Sequence, residues 1–292
     1  ISQASWTSPS ISSMLTSLYP NHELIQEGYS LSAEDLNLIK ILNNNGYITA
    51  LFSNAEPILS ITLNNIKDIF DTFYIKDEKP NETIRQTINW LNNKAISPFF
   101  LWVHIFEPHF PYTPPLHYYP EFILDDLYPQ KNVSIAIDDG VKNEHYSFGV
   151  IPRHVAENGI TDTSYYIAKY DGEIKFADEQ IGKLLNQLNK LRLENNTIII
   201  FSSDHGESMT EHNFYFNHSH FLYEELIRVP LIIILPKRAP RQKIIQQQVQ
   251  SIDIMPTVFD LMNAKSRITM EGNSLIPLIR GKKINRSTYA FS

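Results

Sequence analysis

The most constraining feature of this chain is an alternation: short runs that are apolar throughout follow stretches with a helical period. Ser32-Ala-Glu-Asp35 predicts a helix start, with Asp35 placed to reach back to the cap. Leu36, Ile39 and Leu42 continue that helix, Gly46 closes it, and residues 47–52 read at once as a strand. A second strand is predicted at 99–105, bounded by Pro98 and Pro108. Ile174, Phe176, Ile181, Leu184, Leu188 and Leu191 make a helical stripe from 171 to 191, and strands follow at 197–201 and 230–235. Fully apolar strands alternating with amphipathic helices predict an α/β fold with a mostly parallel sheet covered on both faces. Ligands in such sheets bind beyond the carboxyl ends of the strands, so the strand ends are where chemistry is sought.

With 292 residues, 42% of them hydrophobic, the chain is long enough for one large core or two small ones. The longest apolar run, 229–235, is far shorter than the roughly 20 residues of a membrane-spanning helix. A net charge of −7 argues against a nucleic-acid partner but not against an anionic substrate, because a bound metal can reverse the local field. There is no cysteine, hence no disulfide, thiolate metal site or cysteine nucleophile. Residues 116–166 are polar and aromatic without a period and are expected to form an insertion or lid.

Three strand ends carry suggestive residues. Asp204 and His205 follow the strand at 197–201, and Gly206 is expected to turn the backbone so that both side chains face one point. A carboxylate beside an imidazole suits a divalent cation, and His205, His212, His218 and His220 fall within 16 residues, which favours a site over a loop with surface histidines. His109 lies in a stiff Pro108-His-Phe-Pro111 loop, equally suited to hold an imidazole against an anionic ester or to pack as a turn, while His104 reads as a structural strand residue. Near the start, Ser10 is expected to cap a short helix through Leu18, which would put Thr7 or Ser8 beside an N-terminus that favours anions. Spacing alone makes that serine–threonine run a plain helix cap.

Taken in order, these segments resemble the sulfatase family of the alkaline phosphatase superfamily. Thr7-Ser-Pro-Ser10 with Leu15-Thr-Ser-Leu-Tyr-Pro20 resembles the nucleophile motif and its helix; Phe100-Leu-Trp-Val-His104 with Pro108-His-Phe-Pro-Tyr112 resembles the central strand and substrate histidine. Tyr170-Asp-Gly-Glu-Ile174 resembles the helix before the metal strand, and Ser203-Asp-His-Gly-Glu207 with Arg228-Val-Pro-Leu231 the metal-binding segment. Ile252-Asp-Ile-Met-Pro-Thr257 and Gly272-Asn-Ser-Leu275 resemble the end of the catalytic domain.

The resemblance implies a three-layer α/β/α sandwich and hydrolysis or transfer of sulfate or phosphate esters at one divalent metal ion (Ca, Mg, Mn or Zn), with a second possible. By the same resemblance Thr7 is the nucleophile, Asp204 and His205 are metal ligands, and His109 and His218 bind substrate or serve the leaving group. His212 is a further candidate for the substrate pocket. The formylglycine motif of sulfatases begins with Cys or Ser and ends in Arg, whereas positions 7–11 read Thr-Ser-Pro-Ser-Ile, so no formylglycine is expected. Threonine is the nucleophile of phosphodiesterase, phosphoethanolamine-transferase and phosphoglycerol-transferase relatives. No acidic residue precedes Thr7, where relatives place upstream metal ligands, so the reading expects one catalytic domain over 1–292 that is N-terminally incomplete. Its expected partner is an anionic ester of a sugar, lipid head group or small molecule, in a periplasmic, extracellular or membrane-attached setting. A catalytically inactive binding domain of the same fold and a head-group transferase are the alternatives.

Overall fold

The computed structural model describes residues 1–21, 31, 37–94, 98–124, 134–138, 148–236, 243–264 and 269–282. Along the chain run α1 (Thr7–Thr16), α2 (Asn37–Asn44), β1 (Ile48–Ser53), α3 (Ile58–Leu63), β2 (Thr72–Ile75), α4 (Pro80–Lys94), β3 (Phe99–His104), α5 (Thr163–Lys190), β4 (Ile199–Ser202), α6 (Glu224–Ile227), β5 (Leu231–Ile234), α7 (Ile254–Leu261) and α8 (Ile276–Ile279). The helix start expected at 32–35 lies outside the described residues.

β1 lies between β2 and β3 and runs parallel to both, with Ala50 opposite Thr72 on one side and Leu101 on the other. Because successive strand residues point to opposite faces, β1 separates two cores. Leu51 joins Ile11 and Leu15 of α1, Ile39 and Leu42 of α2, Leu59 of α3 and Phe259 of α7. Ala50 and Phe52 join Trp90 and Leu91 of α4 and Leu188 of α5. Helices therefore cover both faces of a parallel sheet, as the alternation predicts. A third, aromatic cluster of Tyr112, Tyr166, Tyr215 and Phe216 with Ile151 and Val155 binds the connecting loops together.

β4 and β5 pair with each other, antiparallel, Ile199 opposite Ile234. The parallel reading thus holds for β1–β3 and not for this pair. The connection from β4 to β5 stays at one end of the strands, and a chain that returns at the same end pairs antiparallel.

Two boundaries differ from expectation. The first helix begins at Thr7, not at Ser10; its N-cap is Trp6. Pro9 falls within the first turn, where its missing N–H costs nothing. Ser10 is buried instead, its hydroxyl donating to the Ala4 carbonyl at 2.9 Å and meeting Ser2 Oγ at 3.0 Å. The long helix α5 starts at Thr163, eight residues before the apolar stripe, capped by Asp162, which accepts the Ser164 N–H at 2.9 Å. The last part of the expected insertion is therefore helix, and its Tyr166 and Ile167 face the aromatic cluster rather than the sheet.

Candidate active site

Beyond β3, the strap from Ile105 to Thr113 is pinned at both ends. Asn54, just past β1, accepts the Phe106 N–H at 2.8 Å through Oδ1 and donates to Glu107 Oε2 at 2.8 Å through Nδ2. At the other end Glu173 of α5 accepts the Thr113 N–H at 2.7 Å. Burial raises the carboxyl of Glu107 above the usual range and pushes Glu173 up to about 8. The strap displays His109, stacked on Phe106 at 4.1 Å with its Nδ1 donating to the Phe110 carbonyl at 2.6 Å. Burial, helped by nearby His218, holds His109 down at about 3, so it is neutral and its Nε2 carries a lone pair.

Beyond β4, Gly206 donates its N–H to the Leu226 carbonyl at 2.7 Å, and a β-carbon there would stand 2.0 Å from the Glu225 carbonyl oxygen. Gly206 is thus required for the close approach of two backbones, and its φ lies outside the left-handed region, so it makes no special turn. The contact aims Asp204, His205 and Glu207. His205 Nδ1 donates to the Gly206 carbonyl at 2.7 Å, which leaves Nε2 to accept the Thr7 hydroxyl at 3.2 Å. Asp204 Oδ2 lies 3.5 Å from the same Nε2. Burial pushes Asp204 up, but the imidazoles of His205 and His104 and backbone N–H groups outweigh it and hold the carboxylate below its ordinary range.

His218 completes the group. Its Nδ1 lies 3.1 and 3.3 Å from the two Glu207 carboxyl oxygens, with both side chains buried. Burial pushes Glu207 up to about 8 and His218 down to about 3, so both tend to the neutral form and share one hydrogen. The His218 ring stands 4.5 Å from that of His205 and 4.9 Å from that of His109. Thr7, His104, Phe106, His109, Asp204, His205 and Glu207 line a cleft of about 90 Å³. A larger, open hollow of about 360 Å³ near Lys40, Asp68 and Asp71 lies toward the amino end of β2 and gathers no nucleophile.

Thr7, His109, Asp204, His205 and His218 therefore meet at one point. His212 does not join them: it is exposed, stacks on Tyr223 at 3.8 Å and turns Nε2 toward Glu225. Its backbone is left-handed (φ 56°), and this bend directs the ring toward α6. His104 ends β3 and lines the cleft beside Asp204, and burial lowers its pKa. Glu207, quoted only as part of a motif, supports His218, a role that nothing in its spacing announces.

The donors at the cleft are the Asp204 carboxylate, His205 Nε2 and the Thr7 hydroxyl. Tying His205 Nδ1 to a carbonyl is the usual way of orienting a ligating imidazole. This set fits a divalent cation as part of its shell; among the described residues no group of three His, Asp or Glu side chains gathers to complete it.

The architecture that brings these side chains together is the alkaline phosphatase-like α/β/α fold, shared with solved sulfatases. The chain belongs to the sulfatase family: the family model, Sulfatase, matches residues 1–264. It is 30% identical over 203 residues to an arylsulfatase of Clostridium perfringens (strain 13 / Type A), covering 68% of this chain and 41% of that protein. An enzyme solved in complex with its substrate D-glucosamine-2-N,6-O-disulfate superposes with a TM-score of 0.72 at 20% identity, over 96% of this chain and 72% of that one. A phosphonate monoester hydrolase from Silicibacter pomeroyi gives the same TM-score at 19% identity, over 95% of this chain and 68% of that one. The chain spans 41% of the length of the first curated relatives it matches.

Proposed function

We propose that this chain carries the catalytic site of a metal-assisted esterase for sulfate or phosphate esters, with Thr7 as nucleophile. The observation that carries the reading is Thr7 Oγ1, on the first turn of α1, 3.2 Å from His205 Nε2 and beside the His109–His218 pair. Asp204, His205 and the Thr7 hydroxyl would hold the cation, which supplies charge neutralisation at the attacking and ester oxygens and lowers the hydroxyl's pKa.

Thr7 gives up its hydroxyl proton to solvent water, and its Oγ forms a bond to sulfur or phosphorus while the bond from that atom to the ester oxygen breaks. The N-terminal turn of α1 places backbone N–H groups where negative charge collects. His109 and His218 face the non-bridging oxygens, and the hydrogen shared by Glu207 and His218 has a path along the imidazole to the departing alkoxide. Water then displaces Thr7 from sulfur or phosphorus, leaving the acid product and restoring the hydroxyl. The names of the relatives, an arylsulfatase and a glucosamine disulfate complex, support sulfated sugars or aryl sulfates as substrates, and the phosphonate monoester hydrolase supports phosphorus esters. Threonine in place of a formylglycine precursor favours the phosphorus side.

The test is turnover of an aryl sulfate, a phosphate monoester, a phosphodiester and a phosphonate monoester, each with Mg²⁺, Ca²⁺, Mn²⁺ or Zn²⁺. Turnover that Thr7→Ala abolishes while the circular-dichroism spectrum stays unchanged supports the reading; a fully active Thr7→Ala protein overturns it. A second reading, an anion-binding domain without catalysis, draws on the incomplete set of carboxylate and imidazole donors among the described residues. Thermal unfolding with and without each metal separates the two, because only a metal-binding fold gains stability from the ion.

A further inference from the structure

Asn54 belongs to none of the motifs above, yet its side chain ties together the segments that leave three neighbouring parallel strands. It follows Ser53, the last residue of β1, which pairs with Ile75 at the end of β2 and His104 at the end of β3. Its Oδ1 accepts the Phe106 N–H at 2.8 Å, beyond β3. Its Nδ2 donates to Glu107 Oε2 at 2.8 Å and to the carbonyl of Glu78, between β2 and α4, at 3.1 Å. One acceptor and two donors on so short an arm are what a carboxamide offers, and these partners fix which of its ends is oxygen. At 3% exposure, no solvent takes over these bonds when the amide is lost.

The tie passes directly to the histidine of the strap. Phe106 gives its N–H to Asn54 and receives the His109 backbone N–H on its carbonyl at 3.1 Å, which closes the turn between them. Across that turn the Phe106 ring lies under the His109 ring, 4.1 Å away with the planes 22° apart. Phe106, Glu107 and His109 line the cleft, and Asn54 stands behind that wall. The far pins of the strap, Glu173 and Lys79, act on Thr113, four residues beyond His109.

We propose that Asn54 is the positioning residue that sets the His109 ring in the cleft, acting through Phe106 and Glu107. Its bearing on turnover rests on the reading of His109 as a contact for the non-bridging oxygens of the ester.

The test reads the place of the ring directly. The His109 ring protons lie over Phe106, whose ring current shifts their magnetic-resonance signals upfield, and comparison with His109→Gln identifies them. In Asn54→Ala the shift is expected to collapse toward that of free imidazole, and kcat/KM to fall about 100-fold. Leu188→Ala, a destabilising change in the core on the far side of β1, is expected to leave the shift in place. Asn54→Asp keeps the acceptor for Phe106 but sets a carboxylate against Glu107. Adding Glu107→Gln reverses donor and acceptor and is expected to restore most of the shift, so this pair carries the comparison even where Asn54→Ala fails to fold. An unchanged shift in Asn54→Ala, an equal collapse in Leu188→Ala, or no recovery in the double variant would overturn the proposal. A shift that collapses and recovers in a protein that turns over no ester upholds the positioning role and counts against the catalytic reading instead.

Discussion

A β-carbon on Gly206 would stand 2.0 Å from the Glu225 carbonyl oxygen, so Gly206→Ala forces the loop after β4 away from α6. The loop carries Asp204, His205 and Glu207 with it. The expected cost is about 1–3 kcal/mol in urea denaturation, with turnover lost, whereas Gly182→Ala on α5, where a β-carbon meets nothing within 4 Å, stabilises by up to about 1 kcal/mol. Glu207→Ala leaves His218 Nδ1 buried without its partner, and a loss of about 1–3 kcal/mol is expected in the same measurement. Thr7, His109, Asp204, His205 and His218 were legible in the sequence because strand ends and a joint motif order point to them. The places of Glu207 and His104 beside them were not, because each is set by the side chain opposite it. His212 misled for the same reason, since proximity in sequence to His205 says nothing about the left-handed backbone that turns it toward Tyr223.

Among the elements, the strap that follows β3 depends on α5. Glu173 is 2% exposed, with one oxygen bound to the Thr113 N–H and the other without a partner. Its carboxyl stays protonated up to about pH 8 in the folded chain, while the unfolded chain releases that proton near the ordinary value of 4.5. Between those two values the unfolded state binds fewer protons, so the contribution of Glu173 to stability is fully present below about 4.5 and is lost as pH rises through about 8. Urea midpoints measured across that window should fall with rising pH, and Glu173→Gln should flatten the slope; an unchanged slope would show that burial of this carboxyl is not the cause. The apolar stripe of α5 was visible in the sequence from 171 onward. Its first two turns were not, because Tyr165, Tyr166 and Tyr170 serve an aromatic cluster on a different side and blur the helical period.

For the whole molecule, the three layers meet at β1. Phe52 touches Trp90 edge-on at 6.2 Å and Tyr74 at 5.6 Å, and is 3% exposed. Phe52→Ala should therefore cost about 3–5 kcal/mol and loosen α4 and α5 together, read as a lower urea midpoint and faster amide exchange in both helices. The layer order was legible from the alternation alone; the antiparallel return of β5 was not, since an apolar strand reads the same in either direction. The helix that bears Thr7 is fixed from far along the chain. Gln3 exchanges hydrogen bonds with Gln250 and Ile252, and Ser17, at the other end of α1, binds the Ile252 carbonyl and the Gly272 N–H. These partners are separated by 235 to 255 positions. Closing such long loops is slow, so Thr7 stays unplaced until residues past 250 have docked. A chain that has already built its parallel sheet still holds Thr7 loosely, and the strand-end side chains find it in place only once that distant segment has packed.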